Sequence, residues 1–195
     1  MLTPAARFAE LLANDSKQYL PLDAPITNQP GNRSASMLMA VLGQLDPDAP
    51  RYRPHGAITY CSTMTWDFSR NMGAETPLWA GPGNFPAPPA APGSRELNAN
   101  ARHGLLLQGC WGWRECGPLA ALECARNGMP ALFSWFNPRG PNGHTGIVLP
   151  DDASGYPPAS QLYVWQAGAT CSRRILLGEV LSREKLAETR FFFHP

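Results

Sequence analysis

Cys61 opens the segment CSTMTWDFSRNMG, and much later in the chain His144 leads the apolar run TGIVLP. A cysteine attacks as its thiolate, and an imidazole beside it can take the thiol proton and later hand it to a leaving group. Such a base needs a third group to hold its ring and tautomer. Gln166, in VWQAG on the next strand-like run, is the polar residue placed for that task. An amide orients an imidazole, though it stabilises the imidazolium less than a carboxylate does. In this order the three residues fit nucleophilic acyl transfer. Each also has an ordinary reading. Cys61 would be a small core residue, Gln166 a buried amide bonded to backbone, and His144 a loop histidine like His55, His103 and His194.

The elements around these residues must place them together. Cys61, Met64, Phe68 and Met72 follow i, i+3, i+7, i+11, which puts them on one apolar helix face. Gly73 suits the position just past the end of that helix. Cys61 then sits in the first turn, where free backbone N–H groups and the helix dipole favour an anion. Those N–H groups can also steady the oxyanion of an acyl-transfer intermediate. Asp67 lies about 240° around the helix from Cys61, so it belongs to another face, and both Asp67 and Glu96 are expected on helix surfaces. GxSxG, Walker, HExxH and GxGxxG patterns are missing from the sequence.

The rest of the chain reads as helices followed by strands. An N-terminal helix carries Phe8, Leu11 and Leu12, and Ser34 or Ser36 caps a second, SMLMAVLG, closed by Gly43. AETPLWAGPGNFPAPPAAPGS holds too much Pro and Gly for regular structure and is expected as a long ordered loop. RELNANARHGLLLQ, PLAALECARN and GEVLSREKLAE read as helices. ALFSWF, HTGIVLP, LYVWQAG and RFFFH read as strands, with NPRGPNG as a hairpin loop. The pattern predicts an α+β fold with the helix-borne cysteine packed on an antiparallel sheet. Residues 1–45 are expected to form a helical extension, and 46–195 the main domain, as one compact unit.

Composition narrows the classes of function. A net charge of +1 gives no basic surface for nucleic acid. No apolar run approaches the ~20 residues of a membrane span. The start MLTPAARFAELLANDSKQYL lacks a basic n-region, so a cleaved secretory signal is not expected. Five cysteines leave at least one outside any intramolecular disulfide. Cys110, Cys116 and Cys124 cluster without paired CxxC spacing, so with Cys171 they read as small buried residues or one disulfide rather than a zinc site. The residues call for no cofactor. Tyr60, Trp66 and Trp79 are candidate walls of a substrate cleft, against the ordinary reading of tryptophan as core. Arg53 is a candidate partner for a peptide carboxylate, against that of a solvated charge.

With these residues in view, the chain resembles the NlpC-type and CHAP cell-wall hydrolases, which are papain-like cysteine enzymes. RYRPHGAITYCSTMTWDFSRNMGAETPLW, RELNAN, GWRE, NGHTGIVLP, WQAG and FFFHP are more specifically similar to poorly characterised bacterial and phage proteins related to them. The resemblance runs from about Arg51 to the C-terminus. It implies Cys61 as nucleophile, His144 as base, Gln166 as orienting residue, and amide bonds of peptidoglycan peptides as substrate. Tyr60 stands where the NlpC-type motif has Asp, and Ser62 and Thr63 replace the Asn and apolar residue of the nearer relatives. The implied setting is an antibacterial effector toxin or a phage-type lysin. It would be made in the cytoplasm and reach periplasm or cell wall through secretion machinery or lysis, with a cognate immunity protein as a partner of the toxin form. Two alternatives stay open. One is a papain-like protease, deamidase or acyltransferase acting on protein or lipid. The other is a non-catalytic binding or phage structural module.

Overall fold

Ser34 starts the first described helix by accepting the Met37 N–H at 3.2 Å, which satisfies one of the donors a helix start leaves unpaired. The structure, a computed structural model, describes residues 22, 25–54, 56, 58–88, 91–151 and 157–195. The helix expected around Phe8, Leu11 and Leu12, and His55, lie outside these residues. Helix α1 (Ala35–Gln44) runs through Gly43 and ends at Leu45. Helix α2 (Cys61–Asn71) begins at the cysteine, and Gly73 follows it with a left-handed φ of 63°.

The Pro/Gly-rich stretch carries more regular structure than its composition suggests. Strands β1 (Trp79–Ala80) and β2 (Arg95–Glu96) pair antiparallel, with Trp79 opposite Glu96. Helix α3 (Ala99–Leu107) follows, capped by the Asn98 side chain, which accepts the Ala101 N–H at 2.9 Å. Then come β3 (Arg114–Cys116), α4 (Pro118–Arg126), β4 (Ala131–Trp135), β5 (His144–Val148), β6 (Tyr163–Gln166) and β7 (Ser172–Leu176). The expected helix over GEVLSREKLAE is split at Leu181 and Ser182 into α5 (Leu177–Val180) and α6 (Arg183–Glu188), because Ser182 turns to cap the second piece. Strand β8 (Arg190–Phe193) closes the chain.

One six-stranded antiparallel sheet in the order β3-β8-β4-β5-β6-β7 carries the fold. Strands β4 to β7 form a meander, while β8 returns to the far side of β4 and pairs β3 outside it. The two edge strands, β3 and β7, are absent from the sequence expectation. Their residues Arg114–Glu115 and Arg173–Arg174 are exposed, so an edge carries little of the apolar alternation that marks a central strand.

Alternation along the central strands builds two cores. Leu132, Ile147, Trp165 and Phe192 meet Leu38, Val41 and Leu42 of α1, Met64 and Phe68 of α2, and Met72 just past its end. Phe133, Val148, Val164 and Phe191 point the other way, onto Ala121, Leu122 and Ala125 of α4 and Leu177 of α5. The architecture is α+β, with helices on both faces of an antiparallel sheet.

Two side chains expected at the surface are buried instead. Asp67 is 2% exposed: Arg51 donates Nε and Nη2 to its carboxylate at 2.6 and 2.8 Å, and Tyr52 donates its hydroxyl at 2.7 Å. The loop before α2 folds over that side of the helix, so α2 is enclosed on all sides rather than half-exposed. His103 is likewise buried in α3, with Nδ1 3.0 Å from Ser134 Oγ and its ring beside Phe136 and Phe192. All five cysteines are unbridged thiols. Among the described residues, no three His, Cys, Asp or Glu side chains gather as metal ligands, and no helix is long and apolar enough to cross a membrane.

Candidate functional site

Helix α2 starts without a side-chain cap. Tyr60 precedes it with φ −117° and ψ 31° and donates no capping group, so the first-turn N–H groups face the space beside Cys61. Cys61 is 5% exposed, and its sulfur lies where β5 begins. Burial alone would push this thiol up. The hydrogen bond and charge of His144, the Thr145 backbone N–H and the charge of Arg102 outweigh burial and hold the thiol below its ordinary range.

His144 is the first residue of β5 and pairs with Trp135, the last of β4. Its ring packs against Phe133 at 5.5 Å between centroids. The side chain faces Cys61 on one side, and on the other its buried Nε2 has no hydrogen-bond partner among the described residues. Gln166, the last residue of β6, comes close on that second side. A Cβ built at Gly168 would lie 2.9 Å from Gln166 Oε1 and 3.1 Å from His144 Cε1, so both atoms border the same small space. Gln166 Nε2 donates to the Thr170 carbonyl at 2.6 Å, which leaves Oε1 as the amide's acceptor beside the shared space. The structure therefore brings Cys61, His144 and Gln166 together at one end of the sheet, in that spatial order.

Helix α3 braces both halves of this arrangement, a role that no motif in the sequence announces. Asn100 Nδ2 donates to the carbonyls of Asn137 and Gly140 at 3.1 and 3.0 Å, and its Oδ1 accepts the Asn137 N–H at 2.9 Å. Asn98 Nδ2 donates to the Pro141 carbonyl at 3.0 Å. These bonds hold the hairpin loop that leads into His144. Gly143 makes the close approach possible: a Cβ there would meet the Trp135 carbonyl oxygen at 2.2 Å and Asn100 Oδ1 at 2.6 Å. One turn on, the buried Arg102 reaches across to α2, donating Nη1 to the Ser62 carbonyl at 2.6 Å and to Thr65 Oγ1 at 2.8 Å. The only trace of this in the sequence is RELNANAR, with polar side chains at alternate positions of a helix start.

A cleft of about 330 Å3 opens over Cys61. Tyr60, Ser62 and Thr63 line it beside the helix start, Leu78 and Leu97 form its apolar side, and Asn142 and Gly143 close it near His144. Glu96, expected on a helix surface, sits instead on β2 at the cleft wall. Trp66, Trp79 and Arg53 are not brought to the cleft. Trp66 is buried against the far part of α2, where its Nε1 donates to Glu75 Oε1 at 2.8 Å and Arg70 covers its ring at 4.8 Å. Trp79 is 2% exposed within β1, and its neighbour Leu78 supplies the wall. Arg53 is exposed and lies in the electrostatic reach of Asp46. Beyond His144 and Gln166, a second cavity of about 210 Å3 lies between the sheet end and α5 and α6, bordered by Trp135, Thr170, Glu179 and Lys185.

Chemically, the site offers an activated sulfur, an imidazole beside it, an amide near the imidazole, and a helix start without a side-chain cap. Compared with known protein families and curated proteins, the chain matches no family model and no curated sequence.

Proposed function

We propose that the protein is a cysteine hydrolase of the papain-like, NlpC type that cleaves amide bonds of peptidoglycan peptides. The observation that carries the hydrolytic chemistry is the pairing of Cys61 with His144 at an uncapped helix start opening into the cleft. The substrate class rests on the sequence resemblance around Cys61, His144 and Gln166. On this reading the Cys61 thiolate attacks the amide carbonyl carbon, and the first-turn N–H groups hold the resulting oxyanion. The carbon–nitrogen bond then breaks as His144 gives its proton to the departing amine. Water, deprotonated by His144, attacks the thioester, releases the carboxylic acid and restores the thiol–imidazole pair. Gln166, whose Oε1 borders the same small space as the His144 ring, is the polar group that orients the imidazole.

The decisive experiment is digestion of purified peptidoglycan with the wild-type protein and with Cys61→Ala, followed by mass spectrometry of the released peptides. New amine and carboxyl ends with the wild type, and none with Cys61→Ala, are expected. Equal digestion by the two proteins would overturn the assignment. Peptidoglycan left intact by a wild type that hydrolyses other amides would move the substrate class to protein or lipid.

A further inference from the structure

Glu179 of α5 and Lys185 of α6 border the cavity of about 210 Å3 beyond His144 and Gln166, and they carry opposite charges. They do not pair with each other, and neither enters an ion pair among the described residues. Both are presented by anchored elements. Leu177 and Leu181 tie α5 into the core on that face of the sheet. Ser182 caps α6 by accepting the Lys185 N–H at 3.4 Å, and Lys185 Nζ lies 4.6 Å from the centroid of the Trp135 ring. Trp135 is fixed in turn, because its Nε1 donates to Glu188 Oε2 at 3.1 Å. Unpaired charges are ordinary on an open surface, where water solvates them. These two instead stand on the walls of one hollow whose other walls include Trp135, Ile175 and Leu181. His144 also lines it, and its buried Nε2 has no hydrogen-bond partner among the described residues.

We propose that this cavity is a binding site for a free amino acid: the ligand's carboxylate meets Lys185, its ammonium meets Glu179, and its side chain lies on the apolar surface of Trp135, Ile175 and Leu181. Two opposite charges that do not pair call for a ligand bringing a partner to each. A lone anion or a lone cation would leave one of them unanswered and be repelled by it. The size agrees, since the hollow is smaller than the ~300–1,000 Å3 of pockets that enclose drug-sized ligands. Lys185 also borders an adjoining hollow with Arg139, Glu184 and Glu188, but that one touches neither His144 nor Gln166. The amino acid site is distinct from the cleft over Cys61, with which it shares no lining residue. It goes beyond the hydrolase reading and does not depend on it. Its ligand would lie against the imidazole and the Gln166 amide, within reach of the site's orienting groups.

The test is a ligand-detected NMR titration of the full chain with alanine and leucine, each as both enantiomers, and with isoamylamine and isocaproate. The last two are leucine without its carboxylate and without its ammonium. Saturable binding of at least one amino acid is expected, with isoamylamine and isocaproate weaker by about tenfold or more, because each loses a charge-assisted bond. Glu179→Gln and Lys185→Met should each weaken the amino acid by a similar factor. Both side chains are exposed, so these variants should keep the fold. Glu184→Gln, on the adjoining hollow, should bind as wild type does. Saturable binding by none of these amino acids overturns the proposal, as does equal binding of isoamylamine or isocaproate. So does undiminished binding in Glu179→Gln and Lys185→Met, or a loss in Glu184→Gln as large as theirs. Cys61→Ala should bind the amino acid unchanged, and a loss there would put the ligand in the cleft over Cys61 instead. No step of this titration requires hydrolysis, so a protein that leaves every amide intact sinks the hydrolase reading and not this site.

Discussion

Gln166 Oε1 and His144 Cε1 border one space at Gly168, 2.9 and 3.1 Å from where a Cβ would stand. The amide is fixed by its donation to Thr170 and the imidazole by packing on Phe133, so neither turns away freely. Gln166→Ala is therefore expected to lower kcat by about tenfold to a hundredfold, inside the ~10²–10⁴-fold that general acid–base catalysis contributes. KM should change little. Gln166→Glu should recover activity, since a carboxylate in that place stabilises the imidazolium more than an amide does. Steady-state kinetics on a peptide the wild type cleaves would check this, and undiminished kcat in Gln166→Ala would reduce Gln166 to a structural amide.

Asp67 is a stability residue rather than a site residue. It accepts three hydrogen bonds from Arg51 and Tyr52 while 2% exposed. Burial pushes its carboxyl up, against the lowering influence of Arg51, Tyr52 and Arg70. Asp67→Ala leaves the Tyr52 hydroxyl without its acceptor and strips Arg51 of a two-point partner. A loss of about 3 kcal/mol or more is expected in urea unfolding, the range for breaking one side of a buried pair. Alkylation of Cys61 in the folded variant should match wild type.

His103 makes folding sensitive to acid. Burial holds its imidazole below the ordinary histidine range, reinforced by the charge of Arg190 and opposed by Glu115 and Ser134. The unfolded chain then binds the proton more tightly than the folded one. Stability from this group is complete above the unfolded value of ~6.5 and is lost as pH falls through that value towards the lower folded one. His103→Gln, which can still bond Ser134, should show a shallower fall in unfolding free energy between about pH 7 and about pH 5. An unchanged slope would mean that another group sets the acid sensitivity.

Much of the local structure was legible in residue types. The Cys61 helix starts where its apolar stripe starts, Ser34 caps α1, Pro118 opens α4, and four central strands lie where the apolar runs lie. Each of these follows from interactions within a turn or between alternating residues. The edge strands were not legible, because half-exposed polar strands lack that alternation. Trp66 shows the same limit at the site: its type suits a cleft wall, but its bond to Glu75 turns it into the core.

The sequence by itself determined the α+β order of elements and placed Cys61, His144 and Gln166 at the ends of three of them, since caps, turns and apolar periodicity act over a few residues. Only the tertiary structure decided that Asn100 and Arg102 of one helix would brace the His144 loop and the Cys61 turn, and that Asp67 and His103 would be buried. A charged or polar side chain does not carry its own degree of desolvation. That is set by partners from distant parts of the chain, and those partners also decide which charge the Cys61 sulfur feels.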